Sequence, residues 1–91
     1  GIAFYQNWII LSQSYGSKDS KLYFFPISAL IYLDEGNAEK VVVMPPYLEQ
    51  IYVQNGQLLM LFESGAKAYA RDQIMIVDRI LSANINALLG G

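Results

Sequence analysis

The chain has 91 residues, of which 54% are hydrophobic and 15% are charged, and its formal net charge is −2. This composition is typical of one small folded domain and excludes an intrinsically disordered chain. The six basic residues are scattered along the sequence, which disfavours nucleic-acid binding, because affinity for phosphates grows with the number of cationic contacts. No apolar run approaches the roughly 18 residues of a membrane-spanning helix, so we expect no transmembrane segment. No signal peptide is visible, but a leader or preceding domain could have been removed.

The opening residues predict a β-hairpin followed by a third strand. Residues 2–5 and 8–11 are apolar, aromatic and β-branched, and the polar pair Gln6-Asn7 between them is suited to a tight turn. Residues 12–20 are rich in turn formers and predict an exposed loop. Residues 21–27, KLYFFPI, then predict a strand whose pairing is limited by Pro26.

The middle of the chain is less regular. Residues 30–33 are compatible with a short strand or with one helical turn, and we favour the strand. Residues 34–37, DEGN, form a strong turn signal. The three consecutive valines of residues 40–44, KVVVM, predict a strand buried on both faces, and it ends at Pro45-Pro46 because proline cannot donate to a ladder.

The second half repeats the first. The pattern of the opening hairpin recurs as IYV, a QNGQ turn and LLMLFE, at an offset of 48 to 50 residues. Asn55-Gly56 is the best short hairpin signal in the chain. After a loop or short strand at residues 66–71, QIMIVDRI aligns with KLYFFPI as a third strand. Residues 82–89 have some helical character, and Ser82 is a candidate cap for a short terminal helix.

An internal period near 50 residues indicates a repeat architecture, and propeller blades of about this length hold four strands. We therefore predict an all-β fold of two repeated antiparallel sheets that resemble adjacent β-propeller blades. The first repeat is expected at residues 1–40, and the second at residues 41–91 with a short C-terminal tail. The structural alternative is a self-contained small β-barrel in which the two halves close on each other.

Three short segments resemble those of a known group of proteins: SQSYG at residues 12–16, PPYLEQIYV at 45–53 and LFESGAK at 61–67. Their order resembles the C-terminal part of a group of bacterial, mostly Gram-positive, β-propeller-like proteins of uncharacterised function. The resemblance covers most of the chain, but residues 22–40 and those after 81 match nothing specific. It implies an exported or cell-surface location and a larger parent protein, from which we expect this chain to be cut, and it implies no established reaction.

Polar residues near the strand ends of the two repeats are candidate ligand contacts. In a propeller, such side chains can point into a shared groove or channel. The plain structural interpretation is that they bind backbone groups at the strand exits, as serine commonly does in turns. The candidate binding residues are Gln13, Ser14, Tyr15, Glu49, Gln50, Glu63 and Ser64.

Catalytic and metal sites find little support in the sequence. The chain has no histidine and no cysteine, which excludes a Ser-His-Asp triad and disfavours a zinc site. Residues 34–37 lack the regularly spaced oxygen ligands of a calcium loop. Glu49 and Glu63 flank the second hairpin and are candidates for an acid and base pair, although surface carboxylates are common. We expect no metal and no cofactor.

These observations favour a non-catalytic binding or scaffolding module over an enzyme. Open strand edges predict self-association or contact with the remaining blades of a parent chain, and a protein or a glycan is the expected ligand. The twelve aromatic residues are expected mainly in the core and between sheets, with a sugar-stacking surface as the other interpretation. The alternative function is part of a hydrolase that acts on a cell-envelope polymer and uses Glu49 and Glu63.

Overall fold

The structure is a computed structural model that describes residues 1–62, 74–77 and 80–90. This part of the chain consists of eight β-strands, two short 3-10 turns and one short helix. The strands are β1 (Ile2–Tyr5), β2 (Trp8–Tyr15), β3 (Lys18–Pro26), β4 (Lys40–Met44), β5 (Leu48–Gln54), β6 (Gln57–Phe62), β7 (Ile74–Val77) and β8 (Ile80–Asn84), and the helix is α1 (Ile85–Gly90).

The strands form two four-stranded antiparallel sheets, which confirms the predicted all-β fold with two antiparallel sheets. The first sheet has the order β1-β2-β3-β4, and the second has the order β5-β6-β8-β7. The first is a simple meander, whereas β8 lies between β6 and β7 in the second. The chain passes from one sheet to the other between Met44 and Leu48, because β4 pairs with β3. The expected repeat boundary between residues 40 and 41 falls inside β4, which belongs to the first sheet.

Two-residue turns join the first strands of each sheet. The predicted turns at Gln6-Asn7 and Asn55-Gly56 are confirmed, and both Gln6 and Asn55 have positive φ angles, of 51° and 50°. The predicted loop at residues 12–20 is wrong, because β2 continues to Tyr15 and β3 begins at Lys18. Gly16, with φ of 67°, allows the intervening turn to be only two residues long.

Two predictions for the middle of the chain are wrong. The strand favoured at residues 30–33 does not form; a 3-10 turn at Ile27–Ala29 is followed by irregular backbone up to a second 3-10 turn at Glu35–Asn37. Strand β4 is not buried on both faces, because it is the last strand of its sheet and Val41 and Val43 are exposed. The predicted turn at residues 34–37 is confirmed by the second 3-10 turn.

The short terminal helix is confirmed, but its predicted cap is wrong. Ser82 lies inside β8, and α1 begins three residues later, at Ile85. The Asn84 side chain supplies the cap, since its Oδ1 accepts a hydrogen bond of 3.0 Å from the backbone N–H of Ala87. The predicted loop at residues 66–71 lies outside the described residues. No helix in the described ranges is long and apolar enough to cross a membrane.

The main core lies between the two sheets and α1. Alternate residues of the strands point into it, as expected for sheets that bury one face. Trp8 packs edge-to-face on Phe24, with ring centroids 6.4 Å apart. The buried members are Ile10, Leu22, Phe24, Met44, Leu48, Ile51, Leu58, Met60, Phe62, Leu81, Ala83, Ile85 and Leu88.

A second, smaller core covers the outer face of the first sheet. Ile9, Tyr23 and Phe25 point away from the main core, and residues 27–39 fold back over them. Backbone hydrogen bonds hold this segment at both ends: Ile27 N–H donates to Asn7 O at 2.7 Å, and Glu39 N–H donates to Phe24 O at 2.8 Å. The segment therefore forms one wall of a groove on this face.

Candidate functional site

Two adjoining depressions lie on the outer face of the first sheet, each of about 500 Å³, and Glu35 lines both. We call the two together the outer groove. The apolar depression is lined by Gly1, Ile2, Leu11, Ser12, Gln13, Tyr23, Phe25, Leu33 and Glu35. The polar depression is lined by Tyr15, Lys18, Asp19, Lys21 and Glu35.

A pair of tyrosines stands where the two depressions meet. The pairing of β2 with β3 places Gln13 opposite Lys21 and Leu11 opposite Tyr23, so these side chains share the outer face. The rings of Tyr15 and Tyr23 reach towards each other along this face, and their hydroxyl oxygens lie 2.6 Å apart in a hydrogen bond. The Lys21 Nζ lies 5.7 Å from the centroid of the Tyr15 ring, within the range of a cation–π contact.

Tyr23 remains protonated at physiological pH. Only 6% of its surface is exposed. Burial raises the pKa of its hydroxyl well above the ordinary value near 10, and the hydrogen bond with Tyr15 and the negative charge of Glu35 raise it further. Each of the two tyrosine hydroxyls carries a proton, and only one of these protons is used in the hydrogen bond between them. The pair therefore has a second O–H with which to donate to Glu35 or to a ligand.

Glu35 reaches the groove because a short, capped turn holds it there. It is the first residue of the 3-10 turn Glu35–Asn37, and the Asp34 carboxylate accepts a hydrogen bond of 2.9 Å from the Gly36 N–H at the start of this turn. The Tyr32 hydroxyl donates to the other carboxylate oxygen of Asp34 at 3.4 Å. Leu33, packed on the smaller core, fixes the chain just before the turn.

The structure brings only some of the predicted site residues together. Gln13 and Tyr15 line the outer groove. Ser14 is exposed beside them, opposite a β-bulge of β3, and does not line the groove. Glu49 and Gln50 are exposed on β5 in the second sheet and do not line the groove, although the Gln50 side chain lies beside Gly1 at its margin.

The remaining candidates, Glu63 and Ser64, lie outside the described residues. Glu49 is the extra residue of a β-bulge, between the pairs Leu48–Phe62 and Gln50–Leu61. An acid and base pair made of Glu49 and Glu63 therefore stays a prediction. The structure describes the residues after the second strand for the first repeat alone. The predicted similarity of the two repeats at this point therefore also stays a prediction.

Lys21, Tyr23 and Glu35 are among the groove residues that were missing from the sequence-based candidates. A signal for the first two was present, since Gly16-Ser17 is a recognised pair for a two-residue hairpin, and this turn places β2 and β3 side by side. Glu35 had no comparable signal. It comes to the groove through the fold of residues 27–39 over the sheet, which no local pattern in the sequence indicated.

The chemistry of the groove is that of hydrogen bonding and ion pairing. The described residues contain no group of three or more acidic, histidine or cysteine side chains that could hold a metal ion. Comparison of the chain with known protein families, curated proteins and solved structures returned no significant match.

Proposed function

We propose that the chain is a non-catalytic binding module that holds an extended basic peptide in the outer groove. The observation that carries this proposal is the position of Glu35, whose carboxylate lines both an apolar and a polar depression. A carboxylate at such a junction can pair with a cationic group whose hydrocarbon stem lies on the apolar side.

A lysine or arginine side chain has this form, because an apolar stem of several methylenes ends in a cationic head. Leu11, Phe25 and Leu33 provide the apolar wall, and Glu35 is the charged side chain of that depression. The polar depression adds Lys18, Lys21 and Asp19, so the charged side chains of the whole outer groove, Glu35 included, sum to zero and the cation of the ligand is drawn to the Glu35 end.

The aromatic side chains favour a peptide over a glycan. Sugars bind proteins largely by lying flat on an open aromatic face. One face of the Tyr15 ring carries Lys21, and the Tyr23 ring is buried against Ile9 and Phe25. The tyrosines therefore offer hydroxyl groups to the groove, which suit the backbone carbonyls of an extended peptide.

The same proposal includes the larger context of the chain. Two successive four-stranded antiparallel sheets and the repeated hairpin support a role as a scaffolding part of a larger protein. A propeller-like, exported parent is what the sequence resemblance implies. In such a parent protein, the outer groove and its ligand-binding side chains would lie on one face of a single sheet.

The test is a binding measurement with two fluorescein-labelled synthetic peptides, one alternating leucine and lysine and the other alternating leucine and glutamate. Fluorescence anisotropy should detect saturable binding of the lysine peptide and weaker binding of the glutamate peptide. Glu35→Gln should weaken binding of the lysine peptide by up to about fivefold, since an ion pair made by an exposed carboxylate contributes about 0.2–1 kcal/mol.

The matched control is Glu49→Gln, which makes the same chemical change on the exposed β5 strand and should leave the affinity unchanged. Equal binding of the two peptides, or equal effects of the two substitutions, would mean that Glu35 does not select a cationic ligand. Either result would contradict the proposal.

A further inference from the structure

We infer that β4 pairs antiparallel with β4 of a second copy of this chain, which joins the two first sheets into one eight-stranded sheet. This inference is independent of the peptide groove. It concerns the edge of the first sheet, and the partner is defined by the symmetry of the strand itself.

Strand β4 is an edge strand that carries little protection against pairing. Within the described part of the chain, no strand lies beyond it in the first sheet. Its five residues pair with β3 in an unbroken register, and Val41 and Val43 are 45% and 39% exposed. A flat, hydrophobic edge of this kind is a template for another strand. Protective residues are found only at its ends, as Lys40 and Pro45.

The other edges with described side chains differ from β4. Strand β1 contacts β5 of the second sheet, so its edge lies beside the junction of the two sheets. Strand β5 has a β-bulge at Glu49 and exposes Glu49 and Gln50, and both bulges and charges discourage edge pairing. Strand β1 is also regular and uncharged, but it adjoins β5, so among these three strands β4 alone combines a regular, uncharged stretch with an edge that no described strand adjoins.

Homotypic pairing of β4 satisfies the symmetry of a two-fold dimer. With Val42 on the axis, Val41 lies opposite the partner's Val43, and Lys40 lies opposite the partner's Met44. No like charges face each other across the pair. Valine pairs across neighbouring strands are favourable, and the four exposed valines would form one apolar band on the outer face.

Charge variants test this register directly. In Val41→Lys/Val43→Lys, each lysine lies opposite a lysine of the partner, and like charges directly opposite are destabilising. In the matched variant Val41→Lys/Val43→Glu, each lysine lies opposite a glutamate. Light scattering and sedimentation over a concentration series should show a dimer for the unmodified chain and for the lysine–glutamate variant. The dissociation constant of the lysine–lysine variant should be at least tenfold higher.

Cysteine crosslinking provides a second readout, because the chain has no cysteine of its own. Val41→Cys/Val43→Cys places a cysteine opposite a cysteine at two positions, whereas Val43→Cys alone does not. Mild oxidation should therefore crosslink the double variant several-fold faster than the single one. Far-ultraviolet circular dichroism would show that all variants keep their strands. A monomeric unmodified chain at every concentration, or equal dissociation constants for the two charge variants, would overturn the inference.

Discussion

The hydroxyl oxygen of Ser20 accepts a hydrogen bond of 3.1 Å from the backbone N–H of Leu48, at a point where both groups are buried. Ser20 lies in β3 of the first sheet and Leu48 is the first residue of β5 in the second. The bond therefore links the two sheets across 28 residues of sequence and provides a partner for a buried amide, which would otherwise be costly to leave unpaired.

Ser20→Ala should lower the free energy of unfolding by about 1–3 kcal/mol, because the buried Leu48 N–H loses its side-chain partner. Urea denaturation followed by tryptophan fluorescence measures this change, since Trp8 packs against the main core. Ser14→Ala is the control: Ser14 is exposed on β2, and its removal should change stability by less than about 0.5 kcal/mol. Equal losses in the two variants would show that the hydroxyl of Ser20 does not support Leu48.

The two faces of the first sheet can be compared with one pair of phenylalanines. Phe24 is completely buried in the main core, whereas Phe4 is 53% exposed on β1. Phe24→Ala should cost about 3–5 kcal/mol, from lost burial and the cavity left behind. Phe4→Ala should cost about 1 kcal/mol, because half of its side chain is already in water. Chemical denaturation of both variants measures the difference, and similar losses would contradict the described core.

The stability of the chain should depend on Tyr23 at alkaline pH. Its pKa is raised in the folded chain, chiefly by burial, while in the unfolded chain it ionises near pH 10. Above about pH 10 the unfolded chain therefore releases a proton that the folded chain retains. This lowers the free energy of unfolding by about 1.4 kcal/mol per pH unit.

Tyr23→Phe removes this contribution, so the difference in unfolding free energy between the unmodified chain and the variant should be constant below pH 9. It should then change in favour of the variant as the pH rises through 10. Urea titrations at pH 8 to 11 provide the measurement. Parallel pH profiles for the two proteins would show that Tyr23 ionises alike in the folded and unfolded chains.

The two hairpin turns allow a reciprocal exchange. Gln6 and Asn55 have nearly the same positive φ, but asparagine adopts this left-handed conformation more readily than glutamine. Gln6→Asn should stabilise the chain by a few tenths to about 1 kcal/mol, and Asn55→Gln should destabilise it by a similar amount. Thermal unfolding should show the two melting temperatures moving in opposite directions, and a shift in the same direction would contradict this account of the turns.

Local sequence patterns predicted the hairpins well. Apolar, β-branched runs flank both Gln6-Asn7 and Asn55-Gly56. This pattern predicts two paired strands joined by a two-residue turn. The turn at Gly16-Ser17 was missed because the polar stretch around it is typical of a loop. There, tertiary pairing with Leu22 and its neighbours extends both strands beyond what their composition indicates.

The features that depend on distant contacts could not be read from the sequence. The exposure of Val41 and Val43 follows from the position of β4 at the edge of its sheet, which the composition of KVVVM does not specify. The outer groove likewise depends on contacts between residues that are distant in the sequence. Tyr15 and Tyr23 belong to two strands, and Glu35 joins them only because residues 27–39 cover the smaller core.

The most direct test of the proposed function is a nuclear magnetic resonance titration of the isotope-labelled chain with the leucine–lysine peptide. We expect saturable shifts at the amides of Tyr15, Lys21, Tyr23 and Glu35, with little change on β5. The same titration of Glu35→Gln should require up to about fivefold more peptide for half-saturation. Shifts confined to the second sheet, or no saturable shifts at millimolar peptide, would contradict the claim that the outer groove is the binding site.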